Sequence, residues 1–255
     1  MSDPATENTA ILIGANSFVD AAEALRLIGR VAQEWRPRLG GLLIEDAETT
    51  ALCCMPNQRV VTTSGTLAVA PTLAQIKTMM EADARAFRSA LARIAEGTGT
   101  PWSFEQEMGD LIQKGLQMAL SWDILVLAHR NINAITGKVV ILEPAGRPSP
   151  RAATLADTLA RHLVAERVVV SMPQTGAAET SRAQVMAEIL KRLGQINAQA
   201  VVLDVADTGI ADAEDLRRLT DAARCPVFVT GLAATQRSLA HSTQIPPAPD
   251  ATRDS

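Results

Sequence analysis

The chain reads as an α/β protein made of two tandem units, each with a mostly parallel sheet flanked by helices. Two observations predict this. An apolar run, Ile11-Leu-Ile-Gly-Ala-Asn-Ser17, passes through a small polar turn into an amphipathic helix, and the same order of events restarts at Lys138-Val-Val-Ile-Leu-Glu-Pro144. In the second copy every apolar run is separated from the next by a helical pattern, the mark of right-handed parallel crossovers. Open sheets of this kind bind ligands beyond the carboxyl ends of their strands, so the strand tips are where a site is expected.

In the first unit, residues 10–14 form a continuous apolar run, as a parallel strand covered on both faces requires. Over residues 20–35, Ala21, Leu25, Ile28, Ala32 and Trp35 recur at three- and four-residue intervals and predict a helix with one buried stripe. Residues 39–44 give a second strand ending in Glu45 and Asp46, and residues 47–71 show little periodicity. Leu73, Ile76, Met80, Ala84, Phe87, Leu91 and Ile94 then predict a long helix, stopped by Gly97-Thr-Gly99. Residues 102–106 alternate like a half-covered strand, 111–121 form a short helix, and 123–128 are an inner strand. In the second unit, strands near 139–142, 168–171, 200–205 and 226–229 alternate with helices near 151–164, 182–196 and 213–223. The domain reading is a disordered N-terminus at 1–9, a first domain at 10–136, a second, degenerate domain at 137–232, and a disordered Pro-rich tail at 233–255.

Of the 255 residues, 47% are apolar, enough to build a core, and a net charge of -4 offers no basic field for nucleic acid. The start lacks the basic and apolar regions of a secretion signal, and no apolar run approaches the ~20 residues that span a bilayer, so membrane partners are not expected. Three cysteines, two adjacent at Cys53 and Cys54, form no disulfide framework and suit a reducing, cytoplasmic setting.

The order of these elements resembles the universal stress protein family. The residues carrying the resemblance are Leu39-Gly-Gly-Leu-Leu-Ile-Glu-Asp46, the Met55-Pro56 loop with Thr63-Ser-Gly65 after it, Pro101-Trp-Ser-Phe104, and the closing Arg224-Cys-Pro-Val-Phe-Val-Thr230. They resemble the two-repeat proteobacterial form, and the likeness spans roughly residues 10–231. It implies flavodoxin-like units of the HUP kind joined as an internal pseudo-dimer. Members of the family either bind ATP or do not, and binders carry a Gly-x2-Gly-x9-Gly-Ser/Thr loop after the inner strand. Glycines there let backbone N–H groups close around phosphates. The matching place here reads His129-Arg-Asn-Ile-Asn-Ala-Ile-Thr-Gly-Lys138, with Gly137 alone. The stretch Asp207-Thr-Gly-Ile-Ala211 in the second unit fails the spacing too, and Asn16 or Glu143 stands where ATP-binding relatives usually have Asp. The first unit also lacks the closing helix and strand of the family.

A P-loop is rejected because Ile132 and Val139 occupy its first glycine and its Ser/Thr position, and no Gly-x-Gly-x-x-Gly follows either first strand. Adjacent Glu45 and Asp46 on an extended segment point to opposite faces and do not act as an acid-base pair. Ser17 has neither a nearby histidine nor a nucleophile elbow, and it or Asp20 suits a helix N-cap instead. The cysteine pair lacks the further spaced ligands of a metal site. The expected protein is non-enzymatic, with no catalytic or metal residues and no cofactor, acting in stress response or regulation through a protein partner; a homodimer remains open. The alternative expectation is a nucleotide sensor with weak ATP or AMP binding at Asn16, Ser17, Glu45, His129 and Arg130.

Overall fold

The computed structural model describes residues 9–46, 51, 59–61, 65, 67–69, 71–130, 137–144, 149–172, 182–210 and 212–232. The elements are, in order, β1 (Ala10–Ala15), α1 (Phe18–Trp35), β2 (Arg38–Glu45), β3 (Arg59–Val61), β4 (Leu67–Val69), α2 (Leu73–Thr98), β5 (Trp102–Met108) and α3 (Leu111–Met118). A single 3-10 turn, Ala119–Ser121, leads to β6 (Ile124–Leu127), β7 (Lys138–Pro144), α4 (Pro150–Leu163), β8 (Arg167–Met172), α5 (Arg182–Gln195), β9 (Ala198–Asp204), α6 (Val205–Thr208), α7 (Ala213–Ala223) and β10 (Val227–Thr230).

The strands of both predicted units enter one eight-stranded sheet, in the order β5-β2-β1-β6-β10-β9-β7-β8. β5, β2, β1 and β6 run parallel to one another, as do β10, β9, β7 and β8. The two runs meet at an antiparallel pair in which Val227 faces Leu127 and Thr230 faces Ile124. The first half stops at its inner strand, and β10 of the second half pairs there. Because the halves run in opposite directions, their strand tips lie on opposite edges of the sheet.

Every residue of β1 and β9 is buried, β1 as its continuous apolar run requires and β9 with Gln199 and Asp204 buried beside its apolar residues. Alternate residues face opposite layers. Ile11, Ile13, Leu39, Leu43, Val139, Ile141, Val202 and Phe228 pack under α1, α2 and α4. Leu12, Leu42, Leu125, Leu127, Val140, Leu142, Val201 and Val229 pack under α3, α5 and α7. Each layer therefore draws on both halves of the chain.

The glycine pair in β2 has a packing reason. A Cβ at Gly40 would fall against the Trp122 ring, and one at Gly41 would lie 2.9 Å from Phe104 and 3.0 Å from Leu91. The guanidinium of Arg38 stacks 4.2 Å above the same Trp122 ring. α1 starts at the N-cap Ser17, whose hydroxyl accepts from the Asp20 N–H, and α2 ends at Gly99 in the left-handed region (φ 66). Inside the stretch read as non-periodic, β3 and β4 form an antiparallel hairpin. Three-residue strands are too short to show a period of two. Among the described residues no helix is long and apolar enough to cross a membrane.

Candidate functional site

A cleft of about 790 Å³ opens at the edge of the sheet where β1 and β6 end. Asn16 and Asp20 reach it from the exit of β1 and the first turn of α1, and Asp46 from the exit of β2. The turn from β5 into α3 contributes Gly109, Asp110, Leu111 and Ile112; the end of β6 contributes Leu127, Ala128 and His129. The remaining wall belongs to the other half of the chain: Arg217, Thr220 and Asp221 of α7. α7 thus covers the strand tips of the first half from the other half of the chain.

Asp110 joins the two halves across this cleft. It is the N-cap of α3, accepting from the Gln113 N–H at 2.9 Å through Oδ1, while Oδ2 accepts from Arg217 Nη2 at 2.6 Å. Partial burial alone would push its carboxyl up. The backbone N–H groups of Gln113 and Ile112 and the Arg217 guanidinium outweigh that effect and hold it below the ordinary carboxylate value. Arg217 is correspondingly raised, first by its hydrogen bond to Asp110; its Nη1 also donates to Glu214 Oε2 at 2.9 Å.

Of the five residues named as ligand candidates, Asn16 and His129 line the cleft, and Ser17, Glu45 and Arg130 do not. The Ser17 hydroxyl caps α1 and donates to Asp20 Oδ2 at 2.6 Å. Glu45 Oε1 accepts from Gln106 Nε2 at 2.5 Å, toward the β5 edge. Arg130 is exposed, and its carbonyl oxygen lies 3.0 Å from His129 Nδ1, which sets the proton on that nitrogen. Asp20 and Asp46, each within three residues of a named candidate, line the cleft in place of Ser17 and Glu45. The capping signal of Asp110 before an apolar helix is visible in the sequence. Arg217, Thr220 and Asp221 had no local signal, because only the sheet topology brings α7 to this edge.

Gly137, the single glycine between β6 and β7, directly precedes β7 and sits against Asn197 and Gln199, where a Cβ would come within 2.8 Å of the Asn197 carbonyl oxygen. It serves the β7–β9 contact and takes no part in the cleft. Residues 131–136, between it and Arg130, lie outside the described residues, as do Cys53, Cys54, Met55 and Pro56 of the first unit's loop.

At the opposite edge, the tip of β9 ends in the buried carboxylate of Asp204. Its Oδ2 accepts from Ser149 Oγ at 2.8 Å and Thr230 Oγ1 at 3.1 Å, and its Oδ1 from the Ala206 N–H at 2.9 Å. A Cβ on Gly231 (φ 81) would collide with the same carboxylate. These donors tie α4, β9, α6 and β10 together, so Asp204 is engaged by the protein itself. Burial, with the negative charge of Glu23 adding to it, pushes the Cys225 thiol up to about 12, which leaves it protonated and unreactive at neutral pH. Among the described residues no group of three or more His, Cys, Asp and Glu side chains is placed to hold a metal ion.

No protein-family model matches the chain, and no curated protein matches it. Solved structures do. A universal stress protein from Archaeoglobus fulgidus DSM 4304 is 12% identical, aligns over 88% of this chain and 97% of its own, and superposes with a TM-score of 0.46. The universal stress protein UspA from Lactobacillus plantarum is 17% identical over 64% of this chain and 98% of its own, with a TM-score of 0.29. The glutamate racemase isoform RacE1 from Bacillus anthracis is 12% identical over 93% and 84%, with a TM-score of 0.23. Likeness at this level carries no argument, and the α/β class stands on the strand order and pairing of the chain itself.

Proposed function

We propose that this chain is a non-enzymatic, cytoplasmic regulatory or stress-response protein of the universal stress kind, acting through a protein partner and without tight ATP binding. The charge of the strand-tip cleft carries the reading. Four carboxylates, Asp20, Asp46, Asp110 and Asp221, line it, against His129 and the Arg217 guanidinium, which is already bonded to Asp110 and Glu214. A triphosphate entering would meet like charges in a partly enclosed space, where water screens them less than in bulk. To recruit Arg217 it would also have to displace Asp110. Among the described residues that line the cleft, no hydroxyl is set against a base: the Thr220 hydroxyl donates to the Leu216 carbonyl, and His129 is turned to the Arg130 carbonyl.

The test is a thermal-shift series with ATP and AMP at millimolar concentration, run beside cross-linking of the native protein in lysate. A ligand that binds only the folded state raises stability by RT ln(1 + [L]/Kd), about 2.7 kcal/mol at a hundredfold excess over Kd. This reading expects an unmoved melting point and a discrete cross-linked partner. A rise of several degrees with either nucleotide would favour the sensor instead.

A further inference from the structure

The strand-tip cleft is polarised toward hydrogen-bond acceptors. Asp20 comes to it from α1, Asp46 from the exit of β2, Asp110 from the N-cap of α3 and Asp221 from α7. Ionised, all four only accept. His129 joins them: its Nδ1 donates to the Arg130 carbonyl, which leaves Nε2 an acceptor in the neutral ring. Among the described lining residues the one guanidinium is that of Arg217, and it is already shared between Asp110 at 2.6 Å and Glu214 at 2.9 Å.

The acids do not converge on a point. They start from four separate elements, and among the described residues no three His, Cys, Asp or Glu side chains are placed to hold a metal ion. Acceptors spread around a cavity of about 790 Å³ suit an extended organic cation, since cavities of ~300–1,000 Å³ enclose organic groups.

We infer that the cleft receives a basic segment of the partner protein, with Lys or Arg side chains entering among Asp20, Asp46 and Asp221. The chain itself shows the mode of contact: Arg217 of one half is held by Asp110 of the other, a guanidinium on a carboxylate, and both line the cleft. A peptide segment suits the site better than a compact ion because charges carried along one backbone reach several separated carboxylates at once. Its charge is the opposite of the triphosphate that the same carboxylates repel. The inference rests on the reading that a protein partner carries the function, and it names the chemistry of that partner.

Titration calorimetry of the full chain with an acetylated, amidated Lys-Arg-Lys peptide tests this, with a Gln-Gln-Gln peptide and spermidine as comparisons. The expected result is a saturable isotherm for the basic peptide with a Kd below about 1 mM, no saturation with the neutral peptide, and weaker binding of spermidine. Asp221→Lys reverses an exposed charge in the cleft and should weaken the basic peptide about tenfold with an unchanged melting temperature. Glu96→Lys makes the same change of net charge near the end of α2, outside the cleft, and should leave the affinity as it is. A basic peptide that does not saturate, or an equal loss in both variants, would overturn the inference. So would spermidine binding as tightly as the peptide, because the ligand would then be a free polyamine. If the chain ignores ATP and the basic peptide alike, this inference alone falls; ATP that saturates the cleft would instead sink the reading beneath it.

Discussion

Asp110 shows how much one side chain carries: it caps α3, holds Arg217 and lines the cleft. Its ionised form is favoured in the folded state, so its pKa there lies below the unfolded value. The charge contributes stability above the unfolded pKa, and that contribution is lost as pH falls through the folded one. Asp110→Asn keeps a capping oxygen and removes the charge pair, whose partners are each more than a third exposed. Chemical denaturation should find it about 0.5 kcal/mol less stable at neutral pH, with the gap closing below about pH 4. Asp110→Ala also loses the cap, a further cost of about 1 kcal/mol at any pH. Val164 offers the opposite case. It ends α4 in the left-handed region (φ 52), strained for a β-branched residue, and is 95% exposed. Val164→Gly should raise stability by about 1 kcal/mol, read as a higher melting temperature, because it relieves strain and removes no packing. Caps such as Ser17 and Gly99 are legible residue by residue, since a cap is a local hydrogen bond or a local backbone angle. Arg217 is not, because its partner stands 107 positions away.

At the scale of elements, apolar periodicity placed the helices and strands of the eight-stranded sheet to within a few residues. α7 runs over Ala213–Ala223 as its spacing implies, and α2 stops at the predicted glycine. What escaped were short pieces, α6 and the β3–β4 hairpin, which contain less than one full pattern. The Gly40-Gly41 pair was read as part of a resemblance, while its physical role is to admit Trp122 on one face of β2 and Phe104 with Leu91 on the other. Gly40→Ala should therefore destabilise by about 2 kcal/mol through overpacking in guanidinium unfolding. A smaller loss, about 1 kcal/mol, is expected for Gly41→Ala, whose Cβ would stand farther off, 2.9 Å from Phe104 and 3.0 Å from Leu91. If either variant proves neutral, the ring contacts are looser than this packing requires.

For the whole molecule, the joint between the halves was beyond periodicity, which reports the face of an element and not its direction. Only the pairing of β10 with β6 reveals that the chain runs as one sheet with two opposed runs of strands. On one face Glu34 of α1 meets Arg161 and His162 of α4, and on the other Asp110 meets Arg217, so each helical layer is also stitched across the joint. Because both cores mix residues from the two halves, scanning calorimetry should give a single transition whose van't Hoff and calorimetric enthalpies agree. Two resolved transitions would mean that the halves fold separately. The same joint swings α7 over the first half's strand tips and completes an acidic cleft there, and on that charge the functional reading stands. Titration calorimetry of the intact chain with ATP measures it most directly. The prediction is no saturable heat at millimolar nucleotide, whereas a saturating isotherm with a micromolar Kd would contradict the account.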